Sequence, residues 1–195
     1  MMALTDRTPW DPSPQHVARI RSKMPAPQAC PYCDSPVRIV NNSEIYGASY
    51  GEWPWSYACT HCDAYVGMHP FTATPLGTLA SKALRSARNK AKAPFDLLWK
   101  PSTKKRSAAY QALAAHLAID IELCNFGLFD EATCDKAWRW ALEQAATPES
   151  AHDRGNAAAR HGIPISECPF QNPELTSAWR KGWRALPLWS PDIPD

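Results

Sequence analysis

Two short cysteine pairs constrain this chain more than any other feature. Cys30-Pro31-Tyr32-Cys33 and Cys59-Thr60-His61-Cys62 are separated by 25 residues. The second pair lies within the run YACTHCDAYV, which repeats the shape of ACPYCDSPV around the first. Each C-x-x-C turn can aim two thiolates at one ion, and a hairpin between the turns gives a tetrahedral, all-sulfur zinc site. The separation is longer than the common ribbon spacing, which asks only for a longer hairpin. Four thiolates close the shell and leave no position for water or substrate. The expected Zn2+ is therefore structural, with Cys30, Cys33, Cys59 and Cys62 as ligands. A segment this short has little core of its own, so metal binding supplies its folding free energy. A redox pair, unrelated buried thiols, and His61 or His69 as substitute ligands are weaker readings of two matched knuckles.

The chain has 195 residues, 45% hydrophobic and 21% charged, which excludes a broadly disordered chain and allows one or two domains. No apolar run is long enough to cross a bilayer, so no membrane association is expected. The N-terminal residues lack a signal-peptide pattern. A cytoplasmic location follows as the expectation, where thiols stay reduced and metal binding is favoured over disulfides.

The net charge of +2 hides an uneven distribution. Lys82, Arg85, Arg88, Lys90, Lys92, Lys100, Lys104, Lys105 and Arg106 face one acid, Asp96, whereas Asp120, Glu122, Asp130, Glu131 and Asp135 follow without a base between 120 and 135. One basic face and one acidic face are expected. Lys82, Arg85 and Arg88 share a helix face. Lys104, Lys105 and Arg106 sit at a helix start, where cations oppose the macrodipole, and phosphate contact would explain them.

Ser13-Pro14, Thr74-Pro75, Thr147-Pro148 and Asn172-Pro173 each place a capping side chain before proline. They predict helices over 14–24, 75–92, 148–161 and 173–186, and periodicity adds 104–118 and 131–146. Pro94 and Pro101 are expected to interrupt the middle helices. Val37–Val40 and Trp55–Val66 read as strands in hairpins. Trp55 and Tyr57 are assigned to the ribbon's core. Tyr46, Tyr50 and Trp53 are left between core packing and base stacking. The expected fold is α+β: an N-terminal arm with a short helix over 1–27, a four-cysteine ribbon over 28–72, a helical domain with a basic face over 73–146, a helical hairpin over 147–187 and a loose tail over 188–195.

The run from Cys59 to Gly67, with His69, Thr74–Ala80, Leu84-Arg85, Phe95–Trp99 and Ala109-Tyr110, resembles a zinc-finger-containing domain of phages and bacterial mobile elements. That resemblance brings no known activity. It implies histidines at the positions of Lys92 and Asn125, so any chemistry they perform is absent here. Ala151–Gly155, Ala158, Gly162, Cys168–Gln171, Ser177, Trp179 and Gly182–Arg184 resemble ribosome modulation factor. This implies two helices joined by a bent linker, binding to the ribosome, and Arg154, Trp179, Trp183 and Arg184 as positions of interest. Trp179 and Trp183 read equally as packing residues. Gly155 and Gly182 read as sites of close helix approach. That family is strongly basic before its first helix, whereas 143–149 here is acidic and neutral.

His116, Cys124 and Cys134 match no metal-ligand spacing and are read as packing residues, as is Cys168. No nucleophile motif and no phosphate-cradling glycine loop is present. The leading expectation is a non-enzymatic, zinc-binding, phage-encoded or mobile-element protein that binds nucleic acid, ribosomal RNA or the ribosome above all, and alters host translation. Its contacts would be Lys82, Arg85, Arg88, Lys104, Lys105, Arg106, Arg154 and Arg184. The rivals are a protein-binding modulator of a host defence or transcription complex, and a metal-dependent nuclease built on Asp63, His69 and Asp96.

Overall fold

The β-branched and aromatic runs flanking the cysteines form a three-stranded antiparallel sheet in the order β1-β2-β3. Its strands are β1 (Val37–Asn41), β2 (Trp55–Cys59) and β3 (Tyr65–Gly67). The structure is a computed structural model that describes residues 7–20, 23–100 and 105–185. Val37 pairs with Cys59 and Asn41 with Trp55, while Tyr57 pairs with Val66. This register leaves the first cysteine pair just before β1 and places the second at the β2–β3 turn. Helix α1 (Pro14–Arg19) precedes the sheet, and α2 (Ser43–Tyr46) is inserted between β1 and β2. Four longer helices follow, α3 (Lys82–Leu97), α4 (Arg106–Leu117), α5 (Glu131–Ala145) and α6 (Pro148–Arg160), and then α7 (Pro173–Arg184). The class is α+β, as expected.

Two of the four cap–proline pairs, and Asp130, cap as the sequence indicates, whereas Ser13 precedes α1 without a side-chain cap and meets the His16 ring instead. Thr147 and Ser150 form a reciprocal capping box on α6, the Asn172 side chain accepts from Glu174 and Leu175 on α7, and Asp130 accepts from the Thr133 amide on α5. Thr74-Pro75 departs from the pattern. Pro75 bridges Met68, and Leu76 and Ala80 bond to Gly67 and Tyr65, so this segment runs extended along β3. Helix α3 begins seven residues later, where the Ser81 hydroxyl accepts from the Leu84 amide. Pro94 does not interrupt α3, and Pro101 lies outside the described residues. Pro94 lies inside the helix among buried Ala91, Phe95 and Asp96. Burial of that face outweighs the one backbone hydrogen bond that proline removes. The expected helix over 14–24 ends at Arg19.

Backbone contacts divide the chain into two compact units, Met1–Lys90 with Ala114–Cys134, and Ala91–Leu113 with Asp135–Asp195. The first has a core of Cys30, Tyr57, Cys59, Ala64, Val66, Met68 and Leu79, with Trp53 and Trp55 packed against it. The second has a core of Leu142, Ala151, Ala158, Phe170, Leu175 and Trp179, against which Trp183 and half-buried Cys168 pack. Helices α6 and α7 cross at glycine. A Cβ on Gly155 would overlap the Trp179 carbonyl oxygen, and one on Gly182 would overlap that of His152. The Glu143 carboxylate accepts from the amides of Gln171 and Asn172 at the start of α7. No helix among the described residues is long and apolar enough to cross a membrane.

Candidate metal centre

The first knuckle closes because the Asp34 amide returns to the Cys30 carbonyl at 2.9 Å, and Asp34 takes a left-handed conformation (φ 58°) to do so. The second closes through the Cys59 amide to the Ala64 carbonyl at 2.9 Å. There, the amides of His61 and Cys62 point at Cys59 Sγ from 3.3 and 3.4 Å, donors suited to a thiolate. Thr60 joins the knuckles, donating both its amide and its hydroxyl to the Pro36 carbonyl at 3.0 Å.

The four sulfurs converge. All lie within 4.8 Å of one another, with Cys30 Sγ 3.5 Å from Cys62 Sγ and Cys33 Sγ 3.5 Å from Cys59 Sγ. A tetrahedron with metal–sulfur bonds of about 2.3 Å has edges of about 3.8 Å, so the cage fits such an ion. Cys30 and Cys59 are buried, Cys62 is half-buried and Cys33 is exposed. Hydrogen bonds from the side chain and backbone of Ser35 draw the Cys33 thiol down to about 6. Thiols this close cannot all ionise without a cation among them. Among the described residues, these cysteines form the only group of three or more His, Cys, Asp or Glu side chains placed to hold a metal. His61 and His69 stand outside it.

Four sulfurs on two stitched turns of a three-stranded ribbon define a metal-binding ribbon protein. Residues 26–144 match the model of a family described as a zinc-finger-containing domain, and the chain belongs to that family. The match ends before α6, so the α6–α7 hairpin lies beyond it. No curated protein and no solved structure matches the chain.

The basic residues singled out from sequence fall into distinct settings. The Arg85 guanidinium donates to the carbonyls of Asp63 and Ala80, pairs with the Asp63 carboxylate at 3.2 Å and lies 3.9 Å over the Tyr65 ring. Arg88 donates to the Phe129 carbonyl at 3.0 Å, the Thr78 carbonyl at 3.1 Å and the Thr78 hydroxyl at 2.7 Å, and burial pulls its pKa below the usual guanidinium value. Both side chains therefore point their donors into the fold. Lys82 is exposed, and its backbone amide donates to Asp63. Arg106 is exposed, 5.0 Å over Trp99 and 5.7 Å over Tyr110. Lys105, Arg154 and Arg184 are exposed, and Lys104 lies outside the described residues.

Sequence reading passed over Arg180 and Lys181. With Arg184 they line a groove of about 470 Å³ on α7, completed by Gln171, Pro173, Thr176 and Ser177. Their spacing three and four residues before Arg184 was the available signal.

The acids weighed for catalysis are each held by cations. Asp63 meets Arg85, and Asp96 meets Lys92 at 2.7 Å and Lys100 at 3.1 Å. Burial raises the Asp96 pKa, but hydrogen bonds and charge from the two lysines outweigh it and hold the carboxyl below its ordinary value. Cys124 and Cys134 are buried, and burial pushes each thiol up to about 11.

Proposed function

We propose that this is a non-enzymatic protein whose cysteine cage holds Zn2+ and whose surface binds RNA, the ribosome above all. On this reading the metal is structural. Sulfur donors on rigid knuckles favour zinc among abundant divalent ions, and four of them leave no site for substrate. The observation that carries the RNA reading is the α7 groove, which presents Arg180, Lys181 and Arg184 with no carboxylate among its lining residues. Arg180 and Arg184 meet no carboxylate in this groove, whereas Lys181 also borders a neighbouring cleft that contains Glu149, Asp153 and Glu174. Cations grouped on one helix face suit a phosphate backbone. The hairpin's crossing glycines and buried Trp179 suit the resemblance of 150–184 to ribosome modulation factor, with Trp179 a packing residue. Lys82, Lys105, Arg106 and Arg154 add exposed charge, while Arg85 and Arg88 serve the fold. Encoded by a phage or mobile element, such a protein would act on host translation in the cytoplasm.

The test is co-sedimentation of the full chain with small ribosomal subunits across a salt series. Arg180→Ala/Lys181→Ala/Arg184→Ala should weaken binding and reduce the slope of log K against log salt concentration by about 0.7–0.9 for each phosphate no longer neutralised. Unaltered binding by the triple variant would remove the groove from the reading. A second reading, docking of a host protein, draws on exposed Ile121 and Leu123 between Asp120, Glu122 and Asn125. It predicts binding that survives nuclease and is abolished by Ile121→Ser/Leu123→Ser.

A further inference from the structure

We propose that Tyr46 and Tyr50, braced by Tyr65 beside the cysteine ribbon, form a stacking platform for the unpaired bases of a single-stranded nucleic acid. The inference rests on the nucleic-acid reading above and adds a preference for strand state at a second surface. Tyr46 and Tyr50 are 51% and 61% exposed, whereas Tyr57 on the same ribbon is 5% exposed and bonds its hydroxyl to the Ala73 carbonyl. Burial explains Tyr57, whereas the other two pack against rings of their own cluster and leave half or more of their surface open.

The exposed rings are nonetheless held in place. Tyr46 ends α2, and Gly47 turns the chain away in a left-handed conformation (φ 80°). One side chain, Asn42, then clamps the backbone of Tyr50 from both sides, donating to its carbonyl at 2.8 Å and accepting from its amide at 3.0 Å. The hydroxyls of Tyr46 and Tyr65 meet at 2.8 Å. The Tyr46 ring stands edge-on to Tyr50 (6.0 Å between centroids, 75°) and to Tyr65 (5.9 Å, 88°), and Arg85 covers Tyr65. Rings fixed before binding lose little entropy when a base stacks on them.

A groove of about 420 Å³ runs alongside, its walls including Arg38, Ile45, Tyr65, Lys82 and Arg85. Its acids, Glu44 and Asp63, are paired with Arg38 at 2.7 Å and Arg85 at 3.2 Å. Lys82 is the wall's uncompensated cation among the described residues, so phosphate attraction here is small and stacking dominates. Duplex bases already stack on one another and cannot reach the rings, whereas single strands can.

The test is fluorescence anisotropy of the metal-loaded full chain with a labelled dodecamer of uridylate and with a twelve-base-pair duplex. Tyr46→Ala/Tyr50→Ala should weaken single-strand binding about tenfold, leave duplex binding unchanged and leave the salt slope unchanged. Tyr46→Phe/Tyr50→Phe should bind like the parent. Tyr50→Ala alone should forfeit part of the affinity with the fold intact, since Asn42 holds that residue by its backbone. Single-strand binding unaffected by the alanine changes would overturn the platform and leave it as a protein-facing surface. Equal weakening for duplex and single strand, or failure of the phenylalanine pair, would also overturn it. If the parent binds neither oligonucleotide yet sediments with small ribosomal subunits, the platform falls and the RNA reading stands; if it does neither, both fall. If only the α7 triple variant fails to bind, that reading stands and the platform falls.

Discussion

Arg88 shows how a residue with the composition of a phosphate contact can serve the fold instead. Its three donors reach the Phe129 carbonyl and both oxygens of Thr78, fastening α3 to two loops of its unit. A lysine ammonium cannot reproduce that planar fork. Arg88→Lys should lower stability by about 1 kcal/mol in urea titration, because the Phe129 carbonyl loses a part-buried donor while the Thr78 oxygens are exposed and turn to water. Arg88→Ala, which also removes the charge, should leave the salt dependence of RNA binding unaltered, and a flatter slope would return Arg88 to the surface role. Asp96 yields a prediction in pH. Its folded pKa is held below the unfolded value of about 3.9, so its ionised form favours the fold. The contribution is full above the unfolded pKa and is lost as pH falls through the folded one. Asp96→Asn should therefore be less stable than the parent at pH 7, and the gap should narrow as pH falls below the unfolded value of about 3.9. Metal release in acid affects both proteins alike, so the difference between urea midpoints isolates the carboxylate. A gap constant with pH would rule out the lysine pairing.

At the scale of elements, the α6–α7 crossing opposes two terms of known size. Replacing a helical glycine by alanine normally gains about 1 kcal/mol of helix propensity. At Gly155 and Gly182 the new methyl would meet backbone of the opposite helix, which cannot rotate away. Overpacking of this kind costs about 1–3 kcal/mol, and here the backbone must separate, so the clash wins. Gly155→Ala should lower the thermal midpoint. A raised midpoint would mean that the helices stand further apart.

Local signals made this hairpin legible, since Thr147, Asn172 and both glycines act within a few residues of themselves. They misled at Thr74-Pro75, which looks the same in sequence as Thr147-Pro148. Pairing with β3 decides its conformation, and that partner is invisible in a local window. The cysteine cage was legible because two knuckles carry their own geometry. Tyr46 and Tyr50 stood out as candidates for core packing or base stacking, but the Thr60 stitch and the place of Tyr65 beside them were not legible, because hydrogen bonds and ring packing across the ribbon create them.

On the scale of the whole molecule, the two cores differ in what sustains them. The ribbon's core contains two of the four cysteines, Cys30 and Cys59, so sulfur ligands are also core side chains. Removing the ion leaves crowded thiols in a small apolar cluster and withdraws the binding free energy that offsets its chain entropy. The hairpin's core is built from Leu142, Phe170, Leu175 and Trp179 and includes no ligand. A bound ion stabilises only the parts that unfold together with its site. Chelation followed by hydrogen exchange and mass spectrometry should therefore strip protection from peptides covering 37–67 while those covering 148–160 and 173–184 keep it. Cys59→Ser should reproduce the pattern without chelator. Loss of protection in α6 and α7 at the same rate would mean that the two cores unfold as one cooperative body, with the metal sustaining the hairpin as well as the ribbon.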